Sequence, residues 1–439
     1  MASATAAPAK YADDFDGDGY RDHAAFSYGT DTRFSKGGGI LVTFGTAADG
    51  PGTKTQFIDQ ASAGVPGTDE SDDLFGDVRV AADLNKDGYG DLAVSANGED
   101  VGKAKDNGTV TVLWGGKNGL SGGTTVPFKG PKGVSGRAAD FATGDFDGDG
   151  HQDLALVRDS KTYVHRGAIT KSGVKGSVTV LDKDTSSFYA TALVSGKVDK
   201  DGKTDLAVIG DVVYPEYIAS DAWFVKGGRT KLYPGKTLRL ERRNGNSGQA
   251  ERGGDGVIAD FDKDGYGDIA IGTQIHDRDT GRVSVWYGAS SGPSTSARFT
   301  QNTAGIAGGA ERGDRFGASV SAGDVNGDGY RDLAIGVPGE TNDGADEAGG
   351  VHVLYGAKSG LRAQGSQWFA RNSPGVPGTL ATGDYVGHTL RLRDTDRDGR
   401  ADLYVMGDNS SLRLPGTSKG VTTTGVQRVN GDVVAGMLQ

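Results

Sequence analysis

Seven nine-residue segments of the chain carry side chains suited to holding a hard metal ion. Each has an acid or amide at its third position, aspartates at its fifth and ninth, and glycine at its sixth. Calcium takes about six to eight oxygen ligands, and carboxylates two residues apart in a tight loop supply several of them. Glycine at the sixth position permits the positive φ that turns the chain back around an ion. Six segments also begin with aspartate, and we predict that these six bind Ca²⁺ through Asp14, Asp16, Asp18 and Asp22; Asp83, Asn85, Asp87 and Asp91; Asp145, Asp147, Asp149 and Asp153; Asp260, Asp262, Asp264 and Asp268; Asp324, Asn326, Asp328 and Asp332; and Asp394, Asp396, Asp398 and Asp402.

The fourth segment, Lys197–Asp205, differs from the others because a lysine replaces the first aspartate. This change removes an oxygen ligand and adds a positive charge near the position of the ion. We therefore predict that this loop is free of metal, and that Lys197 pairs with Asp199, Asp201 or Asp205 in place of a cation. The alternative is a weaker site in which water completes the ligand set.

Segments rich in Asp and Gly also occur in EF-hands and in solvated turns. An EF-hand needs a bidentate acid at position 12 and a helix after it. Position 12 is apolar in every segment and lies in a predicted strand: Ala25, Val94, Leu156, Val208, Ile271, Ile335 and Val405. A hairpin turn also favours Asp and Gly, but it does not require acids at matching positions in seven copies. Since side chains and a carbonyl close each site, we predict that the ions are structural rather than catalytic.

The segments divide the chain into repeats whose first positions lie 52 to 70 residues apart. Short apolar runs after each segment, such as Leu333–Val337 and Val351–Ala357, indicate four antiparallel strands in each repeat. Seven such repeats predict an all-β fold, a seven-bladed β-propeller of four-stranded antiparallel blades with calcium loops between strands 1 and 2. Residues 1–10 are expected to form a flexible N-terminal tail and residues 11–439 a single propeller. A C-terminal strand at about 431–437 is expected to close the first blade and remove an exposed strand edge.

Composition narrows the possible functions. The net charge of −11 argues against a nucleic-acid surface. No apolar run is long enough to span a membrane, so no membrane insertion is expected. The chain contains no cysteine and therefore no disulfide bond. Its first residues lack the apolar stretch of a signal peptide; they are either a mature N-terminus left after cleavage, which predicts a secreted protein, or a frayed tail.

The repeats resemble FG-GAP repeats, the units of the propeller of integrin α subunits and of bacterial secreted relatives. The resemblance covers about residues 11–439 and is carried by Phe75-Gly76, by Phe316-Gly317, by Gly336-Val337-Pro338 and by the acidic segments. The third, fourth and fifth copies lack an intact Phe-Gly pair, and the seventh has Tyr385-Val386-Gly387. The resemblance implies that the calcium loops lie on the lower face. It also implies that the loops between strands 2 and 3 and between blades cluster on the upper face, where ligands dock.

Two of these upper-face loops carry the candidates for contact with a ligand. They are Tyr214, Glu216 and Tyr217 in the fourth repeat, and His276, Asp277 and Arg278 in the fifth. Aromatic and acidic groups are suited to a sugar or a peptide, so we predict an extracellular, calcium-stabilised propeller of the binding or adhesion type that recognises a protein or a glycan. The alternative is a lyase or hydrolase acting on polysaccharide at the upper mouth of the propeller. Such a site draws residues from several blades and leaves no linear motif, and no catalytic residue is predicted.

Overall fold

The structure is a computed structural model that describes residues 8–28, 37–46, 50–103, 105–128, 137–183, 187–214, 216–244 and 254–438. These residues form seven antiparallel sheets, the blades of a β-propeller, with very little helix. The predicted all-β fold, a seven-bladed β-propeller of antiparallel blades, is confirmed. The first seven residues of the predicted tail lie outside the described residues, and Ala9 donates its N–H to Asp83 Oδ2 at 2.8 Å.

The strands follow one another through each blade in the order of the chain. Blade one comprises β1 (His23–Ser27), β2 (Gly39–Thr46) and β3 (Gly50–Ile58). Blade two comprises β4 (Phe75–Ala82), β5 (Asp91–Ala96), β6 (Thr109–Trp114) and β7 (Ser121–Thr125). Blade three comprises β8 (Ala138–Gly144), β9 (Asp153–Arg158) and β10 (Lys161–Arg166), then a small hairpin of β11 (Ile169–Thr170) and β12 (Gly173–Val174), and finally β13 (Ser177–Leu181). Blade four comprises β14 (Phe188–Gly196), β15 (Asp205–Val213), β16 (Tyr217–Lys226) and β17 (Tyr233–Asn244).

The remaining three blades repeat the pattern. Blade five comprises β18 (Gly256–Ala259), β19 (Asp268–Thr273), the single turn α1 (His276–Asp279), β20 (Arg282–Trp286) and β21 (Ser296–Phe299). Blade six comprises β22 (Val320–Gly323), β23 (Asp332–Val337), β24 (Gly350–Tyr355) and β25 (Arg362–Phe369). Blade seven comprises β26 (Thr389–Arg393), β27 (Asp402–Met406), β28 (Ser411–Leu414), a small hairpin of β29 (Gly416–Thr417) and β30 (Gly420–Val421), and β31 (Gln427–Val429). A short helix, α2 (Gly431–Gly436), follows.

Adjacent blades bury apolar side chains between their faces, and the acidic loops are anchored in that core. Each loop of blades two to seven joins the innermost strand to the second strand, so these loops lie together at one end of the propeller, the lower face. The second loop residue is almost fully buried in six copies: Phe15, Leu84, Phe146, Val198, Phe261 and Val325. Burying such a side chain contributes about 1.5–3 kcal/mol. The core therefore holds the backbone on which the acids are mounted.

The C-terminal segment does not form the predicted strand. Gly431–Gly436 forms the helix α2, which packs against β1 on the side where blade one has no innermost strand among the described residues. The Asn430 side chain accepts a hydrogen bond from the Asp432 N–H at 3.1 Å and so caps the start of the helix. Val433 and Val434 are buried in an apolar cluster with Tyr404 of β27 and Met437.

Arginines from neighbouring blades explain how a helix can end at this position. A helix leaves its last carbonyls without partners inside the helix. Arg79 of β4 donates to the Ala435 carbonyl at 2.7 Å, and Arg391 of β26 donates to the Met437 carbonyl at 2.9 Å. These two donors come from the strands on either side of blade one, and they satisfy the carbonyls at the C-terminal end of α2. Across the described part of the chain, no helix is long and apolar enough to cross a membrane.

Candidate functional site

Hydrogen bonds within each acidic loop explain the spacing of its side chains. In all seven loops the third side chain accepts from the N–H of the fifth residue at 2.9–3.3 Å. The fifth side chain accepts from the N–H of the seventh residue at 2.7–3.2 Å. The sixth-position glycines all have φ between 85° and 91°, a region that favours glycine. Each of these turn bonds uses only one oxygen of its side chain, which leaves the second oxygen of each aspartate available to a cation.

The ninth aspartate fastens each loop to its blade. In all seven copies its Oδ1 accepts a hydrogen bond, at 2.9–3.0 Å, from the N–H of a glycine. The glycine lies near the end of β2 in blade one and just after the third strand in the other blades: Gly45, Gly115, Gly167, Gly227, Gly288, Gly356 and Gly416. Burial raises the pKa of Asp22 to about 8 and that of Asp332 to about 7. Sequence reasoning missed this link, although a glycine recurs after the third strand of every repeat.

The loops with aspartate at the first position fit a hard divalent cation. In four loops, three carboxylates bring oxygen atoms within 4.8 Å of one another; the sets are Asp14, Asp16 and Asp18; Asp145, Asp147 and Asp153; Asp260, Asp262 and Asp268; and Asp394, Asp396 and Asp398. Asp14 is only 3% exposed, and its Oδ1 is buried without a hydrogen-bond partner. A buried anionic oxygen without a donor is costly unless a cation faces it. In the second and sixth loops the third ligand would be the amide oxygen of Asn85 or Asn326.

The fourth loop contains a substitute cation, but not the predicted one. Lys197 is exposed, whereas Lys226 at the end of β16 places its ammonium group 2.5 Å from Asp199 and 3.3 Å from Asp201. The prediction that Lys197 fills this role is therefore wrong. The physical reason is tertiary: the link between Asp205 and Gly227 brings the end of β16 under the loop, next to Asp199, whose side chain is fully buried.

Blade four extends further than its neighbours and carries the first candidate ligand group. Its strands have 9 to 12 residues, whereas those of blade five have 4 to 6. The predicted loop is a tight turn in which the Tyr214 N–H donates to the Tyr217 carbonyl at 2.9 Å. The two tyrosine rings lie 4.9 Å apart, and the Arg242 guanidinium lies 4.2 Å from the Tyr217 ring. Glu216 lies in this turn between the two tyrosines.

A cleft at this extension brings further polar groups next to Tyr214. We call it the blade-4 cleft; it is lined by Lys183, Ser187, Phe188, Val212, Tyr214, Asp221, Thr237 and Arg239. Asp221 is 3% exposed and pairs with Lys183 at 3.2 Å and with Arg239. Sequence reasoning missed these three charged residues. The signal that was available is Asp221 itself, an acid in the middle of an otherwise apolar third strand.

The second candidate group lies at the edge of blade five. His276 Nδ1 is 2.5 Å from Glu241 Oε2, and Arg282 Nη2 is 3.4 Å from the same oxygen. Burial by itself would raise the pKa of Glu241, but the hydrogen bond to His276 and the nearby cations lower it overall. Asp277 and Arg278 are exposed and have φ of 41° and 60°. Because Glu241 and Arg242 are consecutive residues of β17, the histidine and the tyrosine pair lie at the same end of that strand.

This geometry defines the chain as a seven-bladed β-propeller with an acidic loop in every repeat. Comparison with known families specifies the repeat: residues 75–113 and 316–354 match the FG-GAP repeat, and residues 145–208 match the FG-GAP-like repeat. The chain is thus a β-propeller that contains FG-GAP repeats in these segments.

Several curated proteins are similar to part of the chain. Phosphatidylinositol-glycan-specific phospholipase D of Mus musculus is 33% identical over 175 residues, which are 38% of this chain and 19% of that protein. Integrin alpha-PS2 of Drosophila melanogaster is 28% identical over 198 residues, 41% of this chain and 12% of that protein. Integrin alpha-X of Mus musculus is 31% identical over 185 residues, 38% of this chain and 14% of that protein. The chain thus spans less than a fifth of the length of these relatives.

Two solved structures show a weaker similarity to the chain. A lectin of Agrocybe aegerita that recognises non-reducing terminal N-acetylglucosamine is 12% identical, with 74% of this chain and 88% of that chain covered and a TM-score of 0.33. The rhamnogalacturonan lyase YesW is 14% identical, with 90% of this chain and 85% of that chain covered and a TM-score of 0.36. A likeness at this distance does not indicate a function.

Proposed function

We propose that the chain is an extracellular, calcium-stabilised propeller that recognises a protein or a glycan through its upper face, with the blade-4 cleft as the contact site. The observation that carries the proposal is the buried Asp221 between Lys183 and Arg239, beside the ring of Tyr214. Ligand sites combine apolar and aromatic walls with a few fixed polar groups. In this cleft, Tyr214 and Phe188 offer ring surface, and the charged residues offer donors and an acceptor for hydroxyl, amide or carboxylate groups.

Calcium supplies the positive charge that the acidic loops lack. Metal binding of this kind is coupled to folding because the acids repel one another without the ion. Extracellular calcium modules bind the ion with dissociation constants of about 10⁻⁴ to 10⁻³ M, and the proposal places these loops in that class. The ions lie at the face opposite the cleft, so their role is to keep the blades rigid rather than to contact the ligand.

A binding screen tests the proposal. The full chain is applied to arrays of glycans, cell-wall polymers and extracellular matrix proteins, with calcium and with chelator. Tyr214→Ala and Arg239→Ala are each expected to weaken binding to the hit by about 5- to 30-fold, the loss of about 1–2 kcal/mol typical of an interface anchor. Tyr233→Ala is the control, because Tyr233 is an exposed tyrosine of the same blade outside the cleft lining. Binding that both cleft variants retain in full would refute the assignment.

A polysaccharide lyase or hydrolase is the second candidate function. It is favoured by the contact of His276 with Glu241 next to Arg282, because a histidine oriented by a carboxylate is a common general base. The test is release of reducing ends or of unsaturated sugar from acidic and neutral polysaccharides. We expect His276→Asn to abolish any such activity while it leaves polymer binding intact; turnover that survives this substitution would exclude His276 as the base.

A further inference from the structure

Two of the seven acidic loops contain their own positive charges. In the fourth loop, Lys226 contacts both Asp199 and Asp201, and Lys203 lies 2.9 Å from Asp201. The same loop has Lys197 in place of the first aspartate, so it contains three acids and lacks the first ligand. A cation that bridges two carboxylates occupies the position that a metal ion would need.

The seventh loop has the same arrangement although its four acids are complete. Arg413 of β28 is 3% exposed; its Nε donates to Asp402 Oδ2 at 2.8 Å and its Nη2 to Asp396 Oδ2 at 2.6 Å. Arg400 pairs with Asp398 at 2.9 Å. In the other six loops, the Oδ2 atom of the ninth aspartate accepts instead from the N–H of the second loop residue. Arg413 has replaced this bond and joins the third and ninth acids directly.

Basic side chains also approach the first and second loops, but with a different geometry. Lys54 contacts Asp16 at 3.2 Å, and Lys171 contacts Asp87 at 2.8 Å. Both lysines are more than half exposed, and each contacts a single carboxylate of its loop. Exposed pairs of this kind contribute little, so an arriving ion can displace them. Arg413 is buried, and its displacement would leave a desolvated guanidinium without a partner, which is strongly unfavourable.

We propose that Lys226 and Arg413 are built-in cations that replace calcium in the fourth and seventh loops, so that the chain binds five ions. This inference rests on the proposed calcium role. It removes the seventh loop from the six that the sequence alone predicts to bind metal. It also means that these two blades keep part of their acidic charge compensated at any calcium concentration, while the other five depend on the ion.

The two loops also differ from the other five at the seventh residue of the nine-residue segment. Loops four and seven carry Lys203 and Arg400 there, and the other five carry a tyrosine or a histidine: Tyr20, Tyr89, His151, Tyr266 and Tyr330. In a loop that binds an ion, the backbone carbonyl of this residue is expected to face the ion. In loops four and seven, the basic side chain of this residue instead adds positive charge to a loop that holds no ion.

A calcium-grown crystal of the full wild-type chain tests the inference without any variant. We expect anomalous density in the first, second, third, fifth and sixth loops and none in the fourth and seventh. An ion in the fourth or seventh loop, at an occupancy equal to the others, would overturn the inference while the calcium role stands. Density in no loop would overturn the calcium role itself, and the inference with it.

Counting calcium ions per chain by native mass spectrometry tests the two side chains. Arg413→Met is expected to raise the count from five to six, because the seventh loop then keeps its four acids without the buried guanidinium that joins two of them. The matched control is Arg166→Met. Arg166 directly precedes Gly167, the glycine of blade three whose N–H bonds the ninth aspartate, and Lys226 has the same place in blade four. The Arg166 guanidinium, however, donates to Thr179 and to the Thr230 carbonyl and not to a loop acid. This control is expected to keep five ions. A folded Arg413→Met chain with five ions would overturn the role of Arg413.

The fourth loop provides an independent variant if Arg413→Met does not fold. The double change Lys197→Asp and Lys226→Met restores the first ligand and removes the bridging cation, and we expect it to raise the count from five to six. Lys226→Met alone is expected to stay at five because the first ligand is still absent. A count of five for the folded double variant would contradict the role of Lys226.

Discussion

The ninth aspartate allows the contribution of an ion to be separated from that of the loop. Asp332 in the sixth loop accepts from Val325 and Gly356 at 2.9 and 3.0 Å. Asp205 in the fourth loop accepts from the equivalent backbone groups at 2.9 Å in both cases. Both side chains are buried. Asparagine at either position keeps one acceptor and turns an NH₂ group towards a buried N–H, which costs about 1–3 kcal/mol.

Each substitution, Asp332→Asn and Asp205→Asn, is therefore compared with and without calcium. In chelator, the lost acceptor costs about 1–3 kcal/mol, but asparagine also removes a buried charge whose pKa is raised by burial, so these two effects oppose each other. In calcium at 100 times the dissociation constant, loss of a site costs about 2.7 kcal/mol. Only Asp332→Asn should show this additional loss when chelator is replaced by calcium.

The assay is urea unfolding, followed by tryptophan fluorescence, with calcium and with chelator. It is run at pH 8 because burial raises the pKa of Asp332 to about 7 and that of Asp205 to about 6, so both carboxyl groups are ionised. Equal additional losses for the two variants when calcium replaces chelator would refute an ion at the sixth loop.

Three further predictions concern pH and the closure of the ring. Burial raises the pKa of the ninth aspartates, for example that of Asp268 to about 7, above the value of about 3.9 in an unfolded chain. In chelator, the free energy of unfolding should therefore fall as pH rises from about 4 to about 8. In calcium it should rise over the same range, because protons compete with the ion for the carboxylates at low pH. Melting curves with the same pH slope in both conditions would contradict the assignment of the ninth aspartates as calcium ligands. The Arg397 guanidinium lies 3.6 Å from the Tyr20 ring at the junction of blades seven and one, so Arg397→Ala should cost about 0.5–2 kcal/mol in urea unfolding, and an unchanged midpoint would show that the contact contributes nothing. Val434 in α2 is fully buried, so Val434→Ala should cost about 1–3 kcal/mol by the same assay, and a variant as stable as the wild type would mean that α2 does not close the first blade.

Features that depend on neighbouring residues could be predicted from the sequence. The seven blades follow from repeats that each supply their own strands and turn. The loop geometry follows from side chains two residues apart and from the sixth-position glycine, as the φ of 85° at Gly329 illustrates. The burial of the second loop residue, such as Phe146 at 0% exposure, follows from its position between polar neighbours. These are local properties, because a turn and its hydrogen bonds form within nine residues.

The candidate ligand site could be predicted only in part. Tyr214 and Tyr217 do lie together, because a tight turn joins them. Asp221 and Arg239 are cross-strand partners on β16 and β17, and Lys183, which lies between blades three and four in the chain, joins them in one cleft. Nothing in the local sequence of Lys183 distinguishes it from any exposed lysine.

The sequence by itself determined the number of blades, the acidic loops and the residues that turn each loop, since these depend on contacts between near neighbours in the chain. Long-range packing set which basic side chains reach the acidic loops and how the ring closes. Lys226 and Arg413 reach acids of an earlier segment only because the third strand of a blade returns beside its loop. The C-terminal segment forms a helix because Arg79 and Arg391, distant in sequence, meet its carbonyls. Charge pairing and edge closure are long-range contacts, and their partners are chosen by the fold.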